Sequence, residues 1–398
     1  MKRVYITTVI TSLLALVFFS FFYSFWTKRV AMEHLRIGFV YENDESTPYT
    51  YNFALAEEAL REAYPGRIQI HSISNVPESE TEEPIRELAG KGCQLIFTNS
   101  YSETFMELAR EYPEMGFCQT SFLSVPPEDL PPNYHTFNGR IYEGRYVSGI
   151  VAGLKLKDLI DQHVIAPEEA LVGYIAANDS ASVLSGCSAF FLGIRSIVPE
   201  AVMHIRYTNE WDNYALEYAM AKELVNEGCC VISHHTDTVG AAIACEESSA
   251  DHTVIFVGYN QSMLDLAPTT AIISTRINWT PYIVGAAGAV LENIPIERYV
   301  DGKAHGNDLC GGFDLGWVEM LDLNTHMAVD GTRQKINEVI SSLKRGSRQV
   351  FKGSYTGINP ADASDTVDLN QGYTENKEYS APGFRYILKD VMIEDKAG

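Results

Sequence analysis

Short apolar segments alternate with segments of helical length along most of this chain, and the alternation restricts its fold more than any other feature. The apolar segments predict strands at 36–41, 67–73, 93–97, 115–121 and 134–138, and again at 171–176, 202–207, 229–233 and 253–259. Helices are predicted near 51–63, 82–91, 103–112, 142–160, 185–197, 212–227 and 238–248. Continuous apolar strands separated by helices are typical of parallel sheets that helices cover on both faces. The sequence therefore predicts an α/β fold.

The two successive series of strands predict two doubly wound parallel-sheet lobes. In the long helix 142–160, Gly144, Gly149 and Gly153 are spaced so that a neighbouring element can pack closely. Beyond the second series, helices are predicted at 280–294 and 332–346, and the polar stretch 353–383 predicts loops or a short hairpin. Ligands of such sheets bind beyond the carboxyl ends of the strands. The loops that follow the strands are therefore the candidate site.

Residues 4–26 form an uncharged, mostly apolar run, flanked by a pair of basic residues on each side. The run is long enough to cross a bilayer as one helix. It is longer than the apolar part of a secretory signal peptide and shows no small-residue cleavage pattern. We therefore expect residues 1–30 to be an uncleaved signal anchor, a single transmembrane helix, with a cleaved signal peptide as the alternative. The basic pairs balance, so they do not orient the helix.

The chain is strongly acidic, with 30 Lys and Arg against 52 Asp and Glu and a net charge of −22. Nucleic acid is a poor partner for such a surface, whereas a neutral or cationic small ligand is compatible with it. The seven cysteines are scattered and odd in number, which does not indicate a disulfide framework. No cysteine or histidine spacing indicates zinc, and we predict no metal site and no cofactor.

Aromatic residues follow the first predicted strand, in the loop 42–53. Tyr49 and Tyr51 stand at alternate positions there and are candidates for stacking on a flat ligand. The alternative is that they cover the start of the next helix. Trp211 precedes a helix in the second series, and Trp279 precedes the helix at 280–294. Both tryptophans are candidate aromatic platforms.

Polar residues follow several other strands. Asn99 and Ser100 stand where a helix cap is expected, and either capping or ligand contact explains them. Asn260 directly follows the predicted strand 253–259. In the segment 232–238, Thr236 and Asp237 are candidates for hydrogen bonds to a ligand. The adjacent histidines of that segment favour neither a metal nor catalysis, because no third ligand is near in sequence.

Phosphate-binding, dinucleotide-binding, nucleophile-elbow and zinc-protease motifs are all missing from the sequence. No side chain has the surroundings of an activated nucleophile, so we predict no catalytic residue. A candidate site that has aromatic rings and amides but no paired general acid and general base favours ligand binding over catalysis. A nucleoside hydrolase would need a carboxylate cluster or a metal, and neither is visible.

Six segments together resemble the basic membrane protein family of substrate-binding lipoproteins, which serve ABC importers of purine nucleosides and related compounds. They are PYTYNFALAEEAL (48–60), FTNSYSETFMELAREYP (97–113), NGRIYEGRYVSGIVAG (138–153), SHHTDT (233–238), VGYNQSMLDLAP (257–268) and NWTPYIVGAAGAVLE (278–292). The resemblance implies the type I periplasmic-binding-protein fold, with two α/β lobes joined by three crossovers. It implies a first lobe of residues 35–138 and 277–298, and a second lobe of residues 139–276 and 299–390.

The resemblance also implies where a ligand lies. In nucleoside-binding members, one aromatic ring from each side encloses the purine, and Tyr49 or Tyr51 and Trp211 occupy the corresponding loops. A carboxylate that holds the ribose hydroxyls in those members corresponds to Asn260 here, and Asn278 and Trp279 replace a basic residue. These departures favour a free purine base such as adenine. Asp237 and Asn260 would recognise the donors and acceptors along the edge of that base, and a nucleoside is the alternative ligand.

We therefore expect a membrane-tethered, extracytoplasmic purine-binding component of an ABC importer, with a monomeric binding domain and a permease partner. The alternative is an extracytoplasmic sensor for a membrane signalling partner, which the sequence does not distinguish from the first. A domain that binds no ligand is a further alternative, in which the aromatic loops would be packed shut.

Overall fold

Two mostly parallel sheets form the centre of the protein, which a computed structural model describes over residues 32–121 and 129–394. The first five strands are β1 (Leu35–Val40), β2 (Ile68–Ile73), β3 (Leu95–Thr98), β4 (Gly116–Thr120) and β5 (Tyr134–Gly139). The next five are β6 (Leu171–Ala176), β7 (Val202–Tyr207), β8 (Val231–His235), β9 (Ile255–Tyr259) and β10 (Ala271–Ile277). The last seven are β11 (Lys303–His305), β12 (Asp308–Gly311), β13 (Val318–Met320), β14 (Thr356–Asn359), β15 (Asp362–Asp368), β16 (Ile387–Leu388) and β17 (Met392–Glu394).

The main helices lie between these strands. They are α1 (Pro48–Ala63), α2 (Glu82–Gly90), α3 (Thr104–Glu111), α4 (Ile141–Asp161), α5 (Ala181–Arg195), α6 (Tyr214–Asn226), α7 (Gly240–Ser248), α8 (Thr280–Leu291), α9 (Ile296–Tyr299) and α10 (Thr332–Lys344). Strands β3, β8 and β9 are buried at every residue. Continuous burial arises because helices cover both faces of each sheet, so the predicted α/β fold with parallel-sheet lobes is confirmed.

Each lobe contains one seven-stranded sheet. The first sheet has the order β11-β12-β5-β4-β3-β1-β2, and the second has the order β13-β10-β9-β8-β6-β7-β17. The edge pairs β11–β12 and β10–β13 are antiparallel, and the other neighbours are parallel. The chain passes between the sheets three times, after β5, after β10 and after β12.

One predicted boundary differs from the structure. The second lobe was expected to include all of residues 299–390, but β12 pairs with β5 in the first sheet, so residues 303–311 belong to the first lobe. Strands β10, β11 and β12 were not predicted. Of these, β11 and β12 are only three and four residues long, which is too short for a periodic pattern to identify them.

The C-terminal part completes the second lobe. Helix α10 packs on α4, strands β14, β15 and β16 form a small antiparallel sheet, and β17 pairs with β7 at the edge of the second sheet. The β14–β15 pair is the short hairpin predicted within 353–383. The predicted anchor at 4–26 lies outside the described residues, and none of the helices described here combines the length and apolar character of a membrane span.

Helices α4 and α5 cross at backbone contact, as the glycine spacing predicted for α4. A Cβ atom added at Gly149 would lie 1.9 Å from the carbonyl oxygen of Phe190, and one added at Gly193 would lie 2.3 Å from that of Tyr146. No real side chain fits at such distances, so glycine at both positions is required for this packing.

Replacing the α4 glycine should therefore destabilise the protein. We expect Gly149→Ala to lower the free energy of unfolding by about 1–3 kcal/mol, because a backbone carbonyl cannot move aside as a side chain can. Denaturant titration measures this change. Gly90→Ala is the matched control, since an added Cβ at Gly90 meets no atom within 4 Å. Equal effects of the two substitutions would contradict the packing argument.

Candidate functional site

A cavity of about 250 Å³ lies where the carboxyl ends of the two sheets face each other. Most of its lining comes from the ends of strands in both lobes, and the first turns of α1, α4 and α5 and a C-terminal loop supply the rest. The lining residues are Glu42, Asn43, Tyr49, Tyr101, Thr120, Asn138, Ile141, Ser182, Glu210, Trp211, Asp212, His235, Thr236, Asp237, Tyr259, Asn260, Ile277, Trp279 and Pro382. This is the position at which α/β sheets generally bind ligands.

Six of the nine predicted ligand contacts line this cavity. They are Tyr49, Trp211, Thr236, Asp237, Asn260 and Trp279. Two of the aromatic residues belong to one wall: the Tyr49 and Trp279 rings meet edge to face with centroids 6.2 Å apart. Trp279 also stacks on Phe53 at 4.8 Å. Trp211 stands on the second lobe, with its ring 6.2 Å from that of His235.

The other three predicted contacts do not reach the cavity lining. The Tyr51 side chain is 40% exposed. Helix α1 begins at Pro48, earlier than the sequence indicated, and residues two apart on a helix do not share a face. Tyr49 faces the cavity, and Tyr51 therefore points elsewhere.

Asn99 and Ser100 lie directly behind the lining. The Oδ1 atom of Asn99 accepts a hydrogen bond of 3.0 Å from the Glu42 backbone N–H, and its Nδ2 donates to Thr50 Oγ1 at 3.1 Å. The carbonyl of Ser100 accepts a bond of 2.8 Å from Gln119. These buried groups hold the loops of the first lobe in place.

Asp237 connects the two lobes. Its Oδ1 atom accepts a hydrogen bond of 2.8 Å from the backbone N–H of Tyr49, in the first turn of α1. The backbone N–H of Asp237 donates to the Trp211 carbonyl at 2.6 Å. The N-terminus of a helix carries partial positive charge and favours a carboxylate there. Burial nevertheless raises the pKa of Asp237 to about 7, and the bonds from Tyr49 and Thr47 offset only part of that effect.

A second connection between the lobes uses the backbone of Asn260. The Asn52 side chain donates from Nδ2 to the Asn260 carbonyl at 2.9 Å. Asn260 has φ of +61°, a left-handed conformation that asparagine tolerates better than most residues. The backbone of Asn260 therefore serves lobe contact, and its side chain belongs to the cavity lining.

The lining of the cavity is acidic. It includes four carboxylic acids, Glu42, Glu210, Asp212 and Asp237, and the described lining contains no lysine or arginine. Burial, together with the carboxylates of Glu78 and Asp212, raises the pKa of Glu42 to about 7. A phosphate group would meet repulsion here, so the site favours a neutral or cationic ligand.

A buried arginine lies behind the cavity wall. Arg145 is fully buried, and its guanidinium lies 5.6 Å from the centroid of the Tyr259 ring. It donates to Ser233 Oγ at 2.7 Å and to the Tyr174 hydroxyl at 3.1 Å. Burial and the charge of Arg145 hold the pKa of His235 well below its usual range. His235 is therefore neutral.

The neighbouring His234 belongs to the second-lobe interior. It is fully buried and lies 3.1 Å from the Glu217 carboxylate, measured from Nδ1 to Oε1. Within the described ranges, no group of three or more His, Cys, Asp and Glu residues is arranged to hold a metal ion. The adjacent histidines thus have separate structural surroundings.

Sequence reasoning missed several lining residues. Tyr101 and Tyr259 each adjoin a residue that was singled out, and the strand ends could have identified them. Thr120 is the last residue of β4 and Asn138 the second-last residue of β5, where the sequence shows no distinctive pattern. Pro382 lies in the polar C-terminal stretch, and no local signal connects it to the strand ends.

The raised pKa of Asp237 has a measurable consequence. In the unfolded chain an aspartate has a pKa of about 3.9, so folding takes up a proton at intermediate pH. We expect the stability of the wild type, relative to Asp237→Asn, to fall as the pH rises from about 4 to about 7 and to level off above about 7.

Denaturant titrations at a series of pH values measure this difference. Asp265→Asn removes an exposed carboxylate and controls for the change in net charge. A stability difference between the wild type and Asp237→Asn that is independent of pH would contradict the expectation.

Solved structures show the same fold. An ABC transporter solute-binding protein from Aeropyrum pernix superposes with a TM-score of 0.65, at 15% identity, over 79% of this chain and 92% of that one. One from Conexibacter woesei gives a TM-score of 0.61, at 16% identity, over 79% and 98%.

Comparison with known sequences identifies the family through its profile. A purine-binding protein of Brucella abortus is 27% identical over 327 residues, which are 81% of this chain and 85% of that protein. A putative ABC transporter glucose-binding protein of Haloferax volcanii is 28% identical over 269 residues, 67% of this chain and 61% of that protein. The profile of the Bmp family, described as ABC transporter substrate-binding protein PnrA-like, matches residues 43–346. The chain therefore belongs to this family of solute-binding, non-enzymatic proteins.

Proposed function

We propose that this protein binds a purine base in the cavity between its lobes and presents it to an ABC permease. The observation that carries the proposal is the arrangement of aromatic rings from both lobes around a small cavity edged by Asp237 and Asn260. Flat rings on two sides can stack on a flat ligand. A carboxylate beside an amide can form hydrogen bonds with the donors and acceptors along the edge of a purine base.

Size and charge support a base more than a larger ligand. The cavity volume of about 250 Å³ lies below the range of roughly 300–1,000 Å³ that is typical of ligand pockets. The carboxylates of the lining disfavour nucleotides, since each phosphate adds negative charge. The Brucella abortus relative is a purine-binding protein, which supports the same ligand class.

The proposal includes a membrane tether. Residues 4–26 would anchor the binding domain on the extracytoplasmic side, with the lobes close to the permease. A tether of this kind raises the effective concentration of the binder at its partner. Closure of the lobes on ligand would then report occupancy to the permease.

Calorimetry tests the ligand directly. The protein is unfolded and refolded to remove retained ligand, and then titrated with adenine, guanine, adenosine, guanosine, inosine and glucose. We expect binding of at least one base, and affinity for nucleosides and glucose at least tenfold lower. Binding of glucose alone would instead assign the site to sugars, as the name of the Haloferax volcanii relative suggests for that protein.

The aromatic wall can be tested with a matched pair of variants. Trp211→Ala should weaken binding of the base by roughly 10–100-fold, because stacking contributes about 1–3 kcal/mol per base. Tyr51→Ala removes a large aromatic ring of α1 outside the cavity lining and should leave the affinity unchanged. Equal losses in the two variants would remove the case for stacking.

Asn260 should set the choice between base and nucleoside. Aspartate tolerates the same left-handed backbone, and a carboxylate binds a diol more strongly than an amide does. We expect Asn260→Asp to raise the ratio of adenosine affinity to adenine affinity by about tenfold. Asn43→Asp adds the same charge to the same lining and is the control. An unchanged ratio in Asn260→Asp would show that this position does not select against ribose.

A further inference from the structure

The C-terminal segment beyond the family match, which ends at residue 346, is fastened to the second lobe at both of its ends. At one end, Phe351 packs against Tyr142 of α4 with ring centroids 5.3 Å apart. At the other end, the Tyr386 carbonyl accepts a hydrogen bond of 2.6 Å from Ser188 of α5, and β17 pairs with β7.

The middle of this segment, residues 375–384, reaches across to the first lobe; we call it the strap. The Lys303 ammonium donates to the Asn376 carbonyl at 2.5 Å. The Ser380 backbone N–H donates to Asp308 Oδ2 at 2.5 Å, and the Ser380 hydroxyl bonds to both Asp308 and Ser121. Ser380 is 1% exposed and Asp308 is 4% exposed, so these contacts are shielded from water.

The strap has a defined shape of its own. The Glu375 carboxylate accepts hydrogen bonds from the backbone N–H groups of Gly383, at 2.6 Å, and Phe384, at 3.2 Å. The Asn376 side chain donates to the carbonyls of three successive residues, 379–381. These bonds close residues 375–384 into an ordered loop that presents Ser380 to one lobe and Pro382 to the cavity.

Pro382 gives the strap a place in the binding site. It lines the cavity, although it lies outside both sheets and outside the part of the chain that matches the family. Ser121, which bonds to the strap, comes directly after β4, whose last residue Thr120 also lines the cavity. The strap therefore closes one wall of the cavity while bridging the lobes.

We propose that the strap is a ligand-retaining clasp, which holds the lobes closed through Ser380, Asp308 and Ser121 and blocks one exit from the cavity with Pro382. Opening the cleft requires either that Ser380 leave the first lobe or that the strap leave the second. Both routes break shielded hydrogen bonds, so the clasp slows release of the ligand. Measuring the effect of the clasp on adenine release rests on the proposed function, whereas measuring its effect on hydrogen exchange does not.

A reversible cross-link tests the clasp. In the variant Ser121→Cys/Ser380→Cys, the two hydroxyls that bond to each other become thiols, and the seven native cysteines are all buried. We expect oxidation to join the two new thiols in the folded full-length protein, as shown by the mass of the linked peptides. Cross-linking should slow adenine dissociation at least tenfold in stopped-flow measurements, and reduction should restore the rate that the variant had before oxidation. The single variants Ser121→Cys and Ser380→Cys are the controls.

Hydrogen exchange gives a readout that needs no ligand. The Tyr49 N–H lies between the lobes, bonded to Asp237, and its exchange reports cleft opening. We expect the oxidised variant to exchange this proton at least tenfold more slowly than the reduced one. Slower exchange without adenine binding would uphold the clasp and refute adenine as the ligand. Failure to cross-link, or a cross-link that leaves the exchange rate unchanged, would overturn the clasp itself.

A weakening variant covers the case in which the double variant does not fold. Both carboxylate oxygens of Asp308 accept hydrogen bonds from Ser380, and Asp308→Asn leaves only one acceptor oxygen. This variant should therefore speed hydrogen exchange at the Tyr49 N–H and release of adenine about tenfold. Asp330→Asn, at an exposed position, is the charge control and should change neither rate. Identical rates in the two variants would contradict the clasp.

Discussion

The hydrogen bond between the Asp237 carboxylate and the first turn of α1 is the interaction on which the site depends. It joins a strand end of one lobe to a helix of the other, and both partners line the cavity. The cavity therefore exists in this form only while the lobes meet. A ligand that bonds to Asp237 would bind the same group that holds the lobes together, so recognition and closure would be energetically coupled.

The charges around the cavity are arranged in layers. Carboxylic acids form part of the lining, and Arg145 lies behind the Tyr259 ring with hydrogen bonds to neutral groups. Burial, together with the charge of this arginine, keeps the pKa of His235 low and the ring neutral, and the arginine partly balances the acids across an aromatic ring. The result is a cavity edge with acceptors and aromatic faces, and such an edge selects by hydrogen-bond pattern and shape more than by net charge.

Much of the fold followed from the sequence, because strand and helix periods differ clearly over long segments. The strands at 171–176 and 202–207 were predicted to the residue.

The site was harder to predict, because the sequence shows which residues follow a strand but not which way their side chains point. Tyr49 and Tyr51 were equivalent in the sequence, and only the start of α1 at Pro48 separates them. Pro382 reaches the cavity through contacts made far away in the chain, which no local pattern encodes.

The tight crossing of α4 and α5 has a mechanical consequence. Helix α4 starts two residues after β5, at a crossover between the lobes, and runs for 21 residues, a length of about 31 Å. Because Gly149 and Gly193 bring the two helix backbones into contact, α4 cannot bend independently of its lobe. A rotation of roughly 10° at the crossover would therefore displace its distal end by about 5 Å. In such a rotation, helix α4 would be a lever arm, and a small angular change at the cleft would become a larger displacement of the remote surface around Asp161.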